Sequence, residues 1–242
     1  MATMTGEMLT LKQKMIASGR YQPISDDEYK RLQREQSKRL AEMEASQFVP
    51  DWKRLGITEA ESKLTWSAVK ENVSDGMKAV HAVRPAYERG WGMIFLHGTW
   101  GQAKSLVGKI LTATAFRDGK RTAYANLSSV LDDIRLAFDS KENKSTELIK
   151  RMDWWVERDV LFLDELDKSN GTDWAQERLF QLFDRRYQMA VREMGLTVIA
   201  SNKSEAELDG YLKSRLYDRR IGQVVCLNGK DGRKQVPDGW QF

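Results

Sequence analysis

From Trp91 onward, short apolar runs alternate with longer amphipathic stretches, and this alternation predicts an α/β fold with a parallel sheet. The expected strands are Gly92–Leu96, Arg121–Ala125, Val160–Leu163, Leu196–Ser201 and Gln223–Leu227. The expected helices lie near Lys104–Phe116, Ser129–Phe138, Thr146–Trp155 and Thr172–Met194. The sequence therefore predicts helices packed on both faces of one buried sheet.

The chain ahead of this region has a different pattern, with helical spacing but few apolar residues. Met8, Leu11 and Met15 follow a helical period, and Ser25 with Glu28 forms a capping box that begins a second helix. The apolar stripe of that helix is narrow, so it either lies solvated along its own domain or binds a partner. We expect residues 1–47 to form a helical segment and 48–242 the main domain, in which Trp52–Gly90 is helical.

The amino-acid composition indicates the cellular compartment of the protein but not its binding partner. The chain has 242 residues, 41% of them hydrophobic and 31% charged, with one cysteine and two histidines. These counts exclude an internal disulfide and a multi-cysteine zinc site, and they favour a reducing, cytoplasmic compartment. No apolar run is long enough to span a membrane, and the first residues lack a signal-peptide core. The net charge of +4 permits nucleic-acid binding without requiring it.

A glycine-rich segment follows the first strand and precedes a helix. Its residues are Gly98, Thr99, Trp100, Gly101, Gln102, Ala103, Lys104 and Ser105. Glycines let main-chain amides curl around a phosphate, the lysine reaches the β- and γ-phosphates, and the serine hydroxyl can reach Mg²⁺. The alternative is an ordinary glycine-rich turn, and the segment departs from the phosphate-loop pattern at Ala103, where that pattern has glycine.

A second buried strand, Val160–Leu163, ends in the adjacent carboxylates Asp164 and Glu165. In P-loop NTPases an aspartate in this position holds the Mg²⁺ shell, and a glutamate beside it can polarise the attacking water. The alternative is a pair of capping acids. With a phosphate loop upstream, the pattern favours the catalytic interpretation.

Two further features gain meaning from this context. Asn202 follows the strand Leu196–Ser201, where an amide can sense the γ-phosphate, although asparagine is also a common turn residue. Arg215 and Arg219 are four residues apart, so on a helix they would share one face and could reach a neighbouring subunit's nucleotide. A solvated basic helix is the alternative for this stretch.

The order of these motifs resembles the AAA+ ATPase domain of bacterial replicative-helicase loaders of the DnaC/DnaI type, over roughly Phe48 to Leu227. Asp184-Arg185-Arg186 is also similar to that family, and IstB-type transposition helpers share most of the motifs. The resemblance implies Walker A for the phosphate loop, Walker B for Asp164 and Glu165, and sensor 1 for Asn202. It leaves open whether Arg215 or Arg219 is the arginine finger.

The resemblance also implies cofactors and partners. ATP and Mg²⁺ would be bound between subunits of a ring or spiral, with Ser105 and Asp164 on the metal, and residues 1–47 would hold a replicative helicase. Single-stranded DNA would run along a central channel and stack on aromatic residues. Its candidate contacts, for which surface solvation or core packing is the alternative, are Phe138, Lys141, Lys144, Lys168 and Trp174.

Two departures from the family pattern affect what we expect. Ala103 predicts slow ATP hydrolysis, and the residues after Arg220 are too few for the helical lid that many AAA+ proteins carry. Two other functions therefore stay open: an IstB-like ATPase that binds duplex DNA, and a nucleotide-binding scaffold that leaves ATP intact.

Overall fold

The computed structural model describes residues 52–70, 74–139, 143–168, 172–208 and 210–232. The proposed helical segment, residues 1–47, lies outside these ranges, and so does Lys141. The fold below is therefore that of the main domain.

Five parallel strands form the centre of the domain, and they confirm the predicted sheet. The strands are β1 Trp91–Gly98, β2 Thr122–Asn126, β3 Val160–Asp164, β4 Gly195–Ser201 and β5 Gly222–Leu227. Their order across the sheet is β2-β3-β4-β1-β5, so β1 lies between β4 and β5 while β2 forms one edge. All residues of β1 except Trp91 are buried, as expected for a parallel strand covered on both faces.

The described helices are α1 Trp52–Leu55, α2 Gly76–Arg89, α3 Lys104–Arg117, α4 Leu127–Arg135, α5 Lys144–Val156, α6 Asp173–Val191 and α7 Gly210–Leu216. The helices predicted after β1 are all present. Within the described ranges, no helix is long and apolar enough to cross a membrane.

The prediction of a helical Trp52–Gly90 is only partly right. After α1 the chain makes 3₁₀ turns at Glu61–Lys63 and Trp66–Ala68, and regular helix resumes at α2. Gly56, with φ of 77°, follows α1, and a Cβ on it would lie 1.6 Å from the carbonyl oxygen of Tyr124. Close packing of this segment on the β2 edge therefore breaks the helix, which local sequence periodicity does not reveal.

Two apolar cores lie on the two faces of the sheet. Ile94 and Leu96 of β1 face one core, which α2 and α3 cover. Met93 and Phe95 face the other core, which α4, α5, α6 and α7 cover. The alternation along β1 produces the αβα sandwich that the sequence predicts.

A buried arginine connects α6 to the strands beneath it. Arg186 is 0% exposed, and its guanidinium donates to Thr197 Oγ1, Val156 O and Leu196 O, each at 2.7 Å, and also to the Arg158 carbonyl. Burial lowers its pKa to about 9, so it stays charged at neutral pH. The guanidinium therefore fixes α6 to β4 and to the end of α5 through buried hydrogen bonds.

We expect Arg186→Met to lower the free energy of unfolding by about 3 kcal/mol or more, because a hydrogen bond from a charged group is worth about 1.5–3 kcal/mol and several are lost together. The neighbouring Arg185, 43% exposed and paired with Asp153 at 2.6 Å, provides the matched control. Arg185→Met should cost less than about 1 kcal/mol, as exposed ion pairs do. Urea denaturation measures both, and equal losses would contradict the role assigned to Arg186.

Candidate functional site

The loops that follow β1, β3 and β4 converge at the carboxyl edge of the sheet, because these strands are parallel neighbours. They border a cavity of about 600 Å³. The cavity is lined by predicted site residues together with residues ahead of α2 and after β5: Ala68, Val69, Lys70, Ser74, Trp100, Gly101, Gln102, Ala103, Lys104, Ser105, Leu106, Asp164, Glu165, Asn202 and Gly232. The structure thus brings the phosphate loop, the two carboxylates and Asn202 together.

The phosphate loop runs from the end of β1 into the N-terminus of α3. A Cβ on Gly98 would lie 1.9 Å from the carbonyl oxygen of Leu227, so only glycine permits β5 to pair this closely. Lys104 is 7% exposed, and its ammonium donates to the carbonyls of Gly98 and Thr99, both at 2.8 Å. The lysine therefore spans the interior of the loop, where a phosphate-binding cation is needed.

Ala103 adopts the left-handed conformation that the phosphate-loop pattern assigns to glycine. Its φ is 59° and its ψ is 16°, which for a residue with a Cβ costs about 1–2 kcal/mol. The backbone of the loop therefore follows the usual course although alanine stands in place of glycine. The effect of Ala103 is strain in the backbone.

Gln102 fastens the phosphate loop to its surroundings. Its side chain is 1% exposed; Oε1 accepts from the Asp75 amide at 3.1 Å, and Nε2 donates to Gly229 O at 2.8 Å and Lys230 O at 3.1 Å. The Gly232 amide donates to Gly101 O at 3.0 Å. The segment after β5 thus packs against the outside of the loop, and the side chain of Gln102 has a structural role.

The two carboxylates at the end of β3 differ in setting. Asp164 is 4% exposed, and it accepts from the Tyr124 hydroxyl at 2.6 Å and from the Glu165 amide at 2.9 Å. Burial and the Asp164 carboxylate raise the pKa of Tyr124, so its hydroxyl remains a donor. Glu165 is only partly buried and has a φ of 56°, which turns the chain sharply beside the cavity.

Asn202 is held by an aspartate that the motif analysis did not select. The Asp167 carboxylate accepts from the Asn202 amide at 2.9 Å and from its Nδ2 at 3.3 Å, and Ser201 Oγ lies 3.3 Å away. Partial burial acts to raise the pKa of Asp167, but the hydrogen bonds from Asn202 and Ser201 outweigh it and lower that pKa. Asp167 therefore stays ionised and orients the Asn202 amide group.

Arg215 and Arg219 do not share a helix face, contrary to the prediction, because α7 ends at Leu216 and Arg219 lies in the turn that follows. The guanidinium of Arg215 lies 4.6 Å from the ring centre of Tyr187 and 4.3 Å from that of Tyr211. Arg219 is exposed, and no ion pair joins it to another described residue. Neither arginine lines the cavity within this chain.

The two aromatic residues predicted to contact nucleic acid lie side by side; Phe138 is exposed, whereas Trp174 is partly buried and also packs against the core beneath α6. Phe138, 44% exposed, meets Trp174 edge-on with ring centres 5.9 Å apart, and the Arg135 guanidinium lies 5.1 Å from the Trp174 ring centre. We call Arg135, Phe138 and Trp174 the aromatic–basic patch. Lys144 is exposed at the start of α5, while Lys141 and the side chain of Lys168 lie outside the described part.

The oxygen donors beside the phosphate loop fit Mg²⁺. Ser105, Asp164 and Glu165 offer one hydroxyl and two carboxylates, which are hard ligands of the kind that Mg²⁺ prefers. In the part of the chain described here, no cluster of three histidine, cysteine or acidic side chains could hold a metal ion alone. This donor set suits a metal ion shared with nucleotide phosphates.

Sequence reasoning missed Tyr124 and Asp167. Asp167 belongs to the same acidic run as Asp164 and Glu165, and this proximity is a signal that could have found it. Tyr124 lies in an apolar strand, where a tyrosine ordinarily indicates core packing, and nothing in the sequence pairs it with Asp164.

Comparison with solved structures finds several proteins of similar fold. AMPPCP-bound DnaA from Aquifex aeolicus superposes with a TM-score of 0.57 and 21% identity over 68% of this chain and 50% of that one. The DnaC helicase loader gives a TM-score of 0.54 and 18% identity over 71% of this chain and 100% of that one. A primosome component from Streptococcus pyogenes serotype M3 gives a TM-score of 0.54 and 19% identity over 72% of this chain and 91% of that one.

These likenesses confirm the predicted α/β P-loop fold of the AAA+ type, and at such identities they establish the fold alone. This chain spans about half the length of the first structures it matches: 50% of a DNA replication initiation factor, 50% of AMPPCP-bound DnaA, and 47% of DnaA bound to AMPPCP and single-stranded DNA. No protein-family model and no curated protein matches the sequence. Function must therefore be argued from the site.

We expect Asp167→Asn to lower the free energy of unfolding at pH 7 by about 1–2 kcal/mol, because hydrogen bonds to an ionised acceptor become weaker neutral ones. The pKa of Asp167 is lower in the folded state, so the extra stability that aspartate gives over asparagine is complete above the ordinary aspartate pKa of about 4. It should disappear as the pH falls through the folded-state pKa. Urea unfolding between pH 7 and pH 3 tests this, and a pH-independent difference would contradict it.

Proposed function

We propose that this chain is an ATP-binding AAA+ protein that hydrolyses ATP slowly and acts in DNA replication as a helicase loader. The observation that carries the proposal is the convergence of Lys104, Ser105, Asp164, Glu165 and Asn202 on one cavity. Likeness in fold to DnaC and DnaA supports the replication context.

ATP would lie with its phosphates in the loop from Gly98 to Ser105. The loop amides and the N-terminus of α3 favour an anion there, and Lys104 would exchange its two loop carbonyls for phosphate oxygens. Ala68 and Val69 lie on the wall of the same cavity and offer apolar surface to the nucleotide.

Hydrolysis requires a water molecule in line with the γ-phosphate and a base to take its proton. Glu165 is the base in this proposal, because it borders the cavity and is less buried than Asp164. Asn202, oriented by Asp167, would donate to the γ-phosphate or to the water. When bound, Mg²⁺ would neutralise phosphate charge, held by Ser105 with Asp164 beside it.

The strained φ of Ala103 supports slow turnover. Its Cβ stands where phosphate loops usually have none, and it packs beside Gly76, which has no side chain. The added methyl group and the strained φ would make it harder for the loop to adjust as charge moves during hydrolysis.

The catalytic arginine would come from a neighbouring subunit in a ring or spiral. Arg219 suits this role better than Arg215, because Arg219 is exposed while Arg215 is half-buried beside Tyr187 and Tyr211 and lies 3.7 Å from Asp184. An arginine finger must extend across an interface, and an arginine already stacked in its own subunit loses that freedom.

The aromatic–basic patch is the proposed contact for single-stranded DNA. Bases stack on aromatic rings regardless of sequence, and a neighbouring arginine adds charge toward the phosphates. Residues 1–47 are the proposed contact for a replicative helicase. The first assignment extends the resemblance of the motifs, and the second rests on the position and predicted helicity of the segment.

We expect Lys104→Ala to weaken ATP binding about ten-fold or more, because it removes a buried charge from the phosphates. Glu165→Gln should retain binding and lose about 10²- to 10⁴-fold in hydrolysis. Titration with a fluorescent ATP analogue and phosphate release measure the two effects, and Lys120→Ala, beyond the far end of α3, is the control. Absence of nucleotide binding in the wild-type protein would overturn the proposal, and binding without turnover would favour the scaffold alternative.

Mixing two inactive variants tests whether the catalytic arginine comes from a neighbouring subunit. Arg219→Ala and Glu165→Gln should each be inactive alone, while a mixture should recover part of the hydrolysis, because interfaces form with both intact residues. Arg192→Ala, an exposed arginine at the end of α6, should stay active. No recovery in the mixture would count against a finger supplied in trans.

We expect Phe138→Ala and Trp174→Ala each to weaken binding of labelled oligo-dT about ten-fold, since stacking is worth about 1–3 kcal/mol per base. Fluorescence anisotropy measures the affinity. Phe180→Ala removes a similarly exposed phenylalanine, 48% exposed, from another surface and should bind like the wild type. A preference for duplex over single strands would favour the IstB-like alternative instead.

A further inference from the structure

Tyr124 contacts Asp164, one of the two residues that we assign to the metal side of the nucleotide site. It lies on β2, and its hydroxyl donates to Asp164 Oδ2 across the neighbouring strand β3 at 2.6 Å. That aspartate and Ser105, the serine that follows the phosphate-loop lysine, line the same cavity.

The ring of Tyr124 is fixed by its surroundings, so the position of its hydroxyl is determined. It stacks on Phe162 with ring centres 5.4 Å apart and planes 13° from parallel. Its main-chain carbonyl packs against Gly56, and its side chain is 9% exposed. A phenol held on a central sheet in this way can orient a carboxylate with little loss of entropy.

The carboxylate it contacts has few other constraints. Asp164 Oδ1 accepts from the Glu165 amide at 2.9 Å, and the Tyr124 hydroxyl contacts the other oxygen. Together the two donors determine the rotation of the carboxylate about its bond to Cβ. Removal of the hydroxyl would leave Oδ2 free to turn away from the cavity.

We propose that Tyr124 is a positioning residue for Mg²⁺-dependent nucleotide binding, acting through Asp164. The inference rests on the proposed function, because it assigns a role within the same site. Groups that hydrogen-bond metal-binding side chains typically contribute 10- to 100-fold to metal affinity. Tyr124 would therefore set the Mg²⁺ concentration at which nucleotide binding tightens, without contacting the nucleotide.

Tyr124→Phe tests this, because it keeps the stacked ring and removes only the hydroxyl. We expect the Mg²⁺ concentration at half-saturation of fluorescent-ADP binding to rise about ten-fold, with binding in excess EDTA unchanged. Tyr87→Phe is the matched control, since Tyr87 is also a buried tyrosine that donates to an aspartate, Asp118, which follows the last residue of α3. It should leave the Mg²⁺ midpoint unchanged, and melting temperatures of both variants report their folding.

A double-variant comparison separates positioning from a general loss of packing. In an Asp164→Asn background, Tyr124→Phe should have no further effect on the Mg²⁺ midpoint, because the group on which it acts is already altered. An unchanged or lower midpoint in Tyr124→Phe alone, or an equal shift in both backgrounds, would overturn the inference. Nucleotide binding by the wild type with a normal Mg²⁺ response would preserve the proposed function in that case, whereas no binding at all would overturn both.

Discussion

The position of β1 between β4 and β5, with all five strands parallel, is the constraint on which the candidate site depends. The pairing aligns His97 with Ser201 on one side and with Cys226 on the other, so the chain leaves β1 beside the ends of both neighbours. The phosphate loop and Asn202 meet because they follow adjacent strands. On the other side of β1, Gly98 lets β5 pair as far as the start of the loop, since a side chain there would collide with Leu227. The geometry of the site is therefore set by the sheet.

Around that arrangement, hydrogen bonds from buried polar groups hold the loops in place. Gln102 joins the phosphate loop to α2 and to the segment after β5, Asp167 holds Asn202, and Tyr124 holds Asp164. Arg186 does the same for α6, β4 and the chain ahead of β3. Because an unmatched buried polar group costs about as much as a lost hydrogen bond or more, these partners restrict each loop to few conformations. That restriction is what a site that binds phosphate and a metal ion requires.

The strands and most helices could be predicted because their evidence is local. Val160–Asp164 is an apolar run that ends in acids, and Asp173–Val191 is a long periodic stretch that Thr172 caps. Residues 52–70 were harder, since their helical periodicity yields to the close approach of Gly56 to β2. Spacing alone also suggested one helix face for Arg215 and Arg219, but the helix ends at Leu216. Where distant packing competes with local preference, the sequence pattern loses its reliability.

The amino-acid sequence by itself determined the kind of fold and the chemistry of the phosphate loop, because both depend on residue types at short, defined spacing. The tertiary structure decided which side chains support that chemistry. Tyr124 and Asp164 are 40 residues apart, and Asp167 and Asn202 are 35 apart, so no local pattern links them. Each pair meets only because of the strand order, in which β3 lies between β2 and β4. Strand order follows from burial across the whole sheet, and this is why only the folded chain reveals these partners.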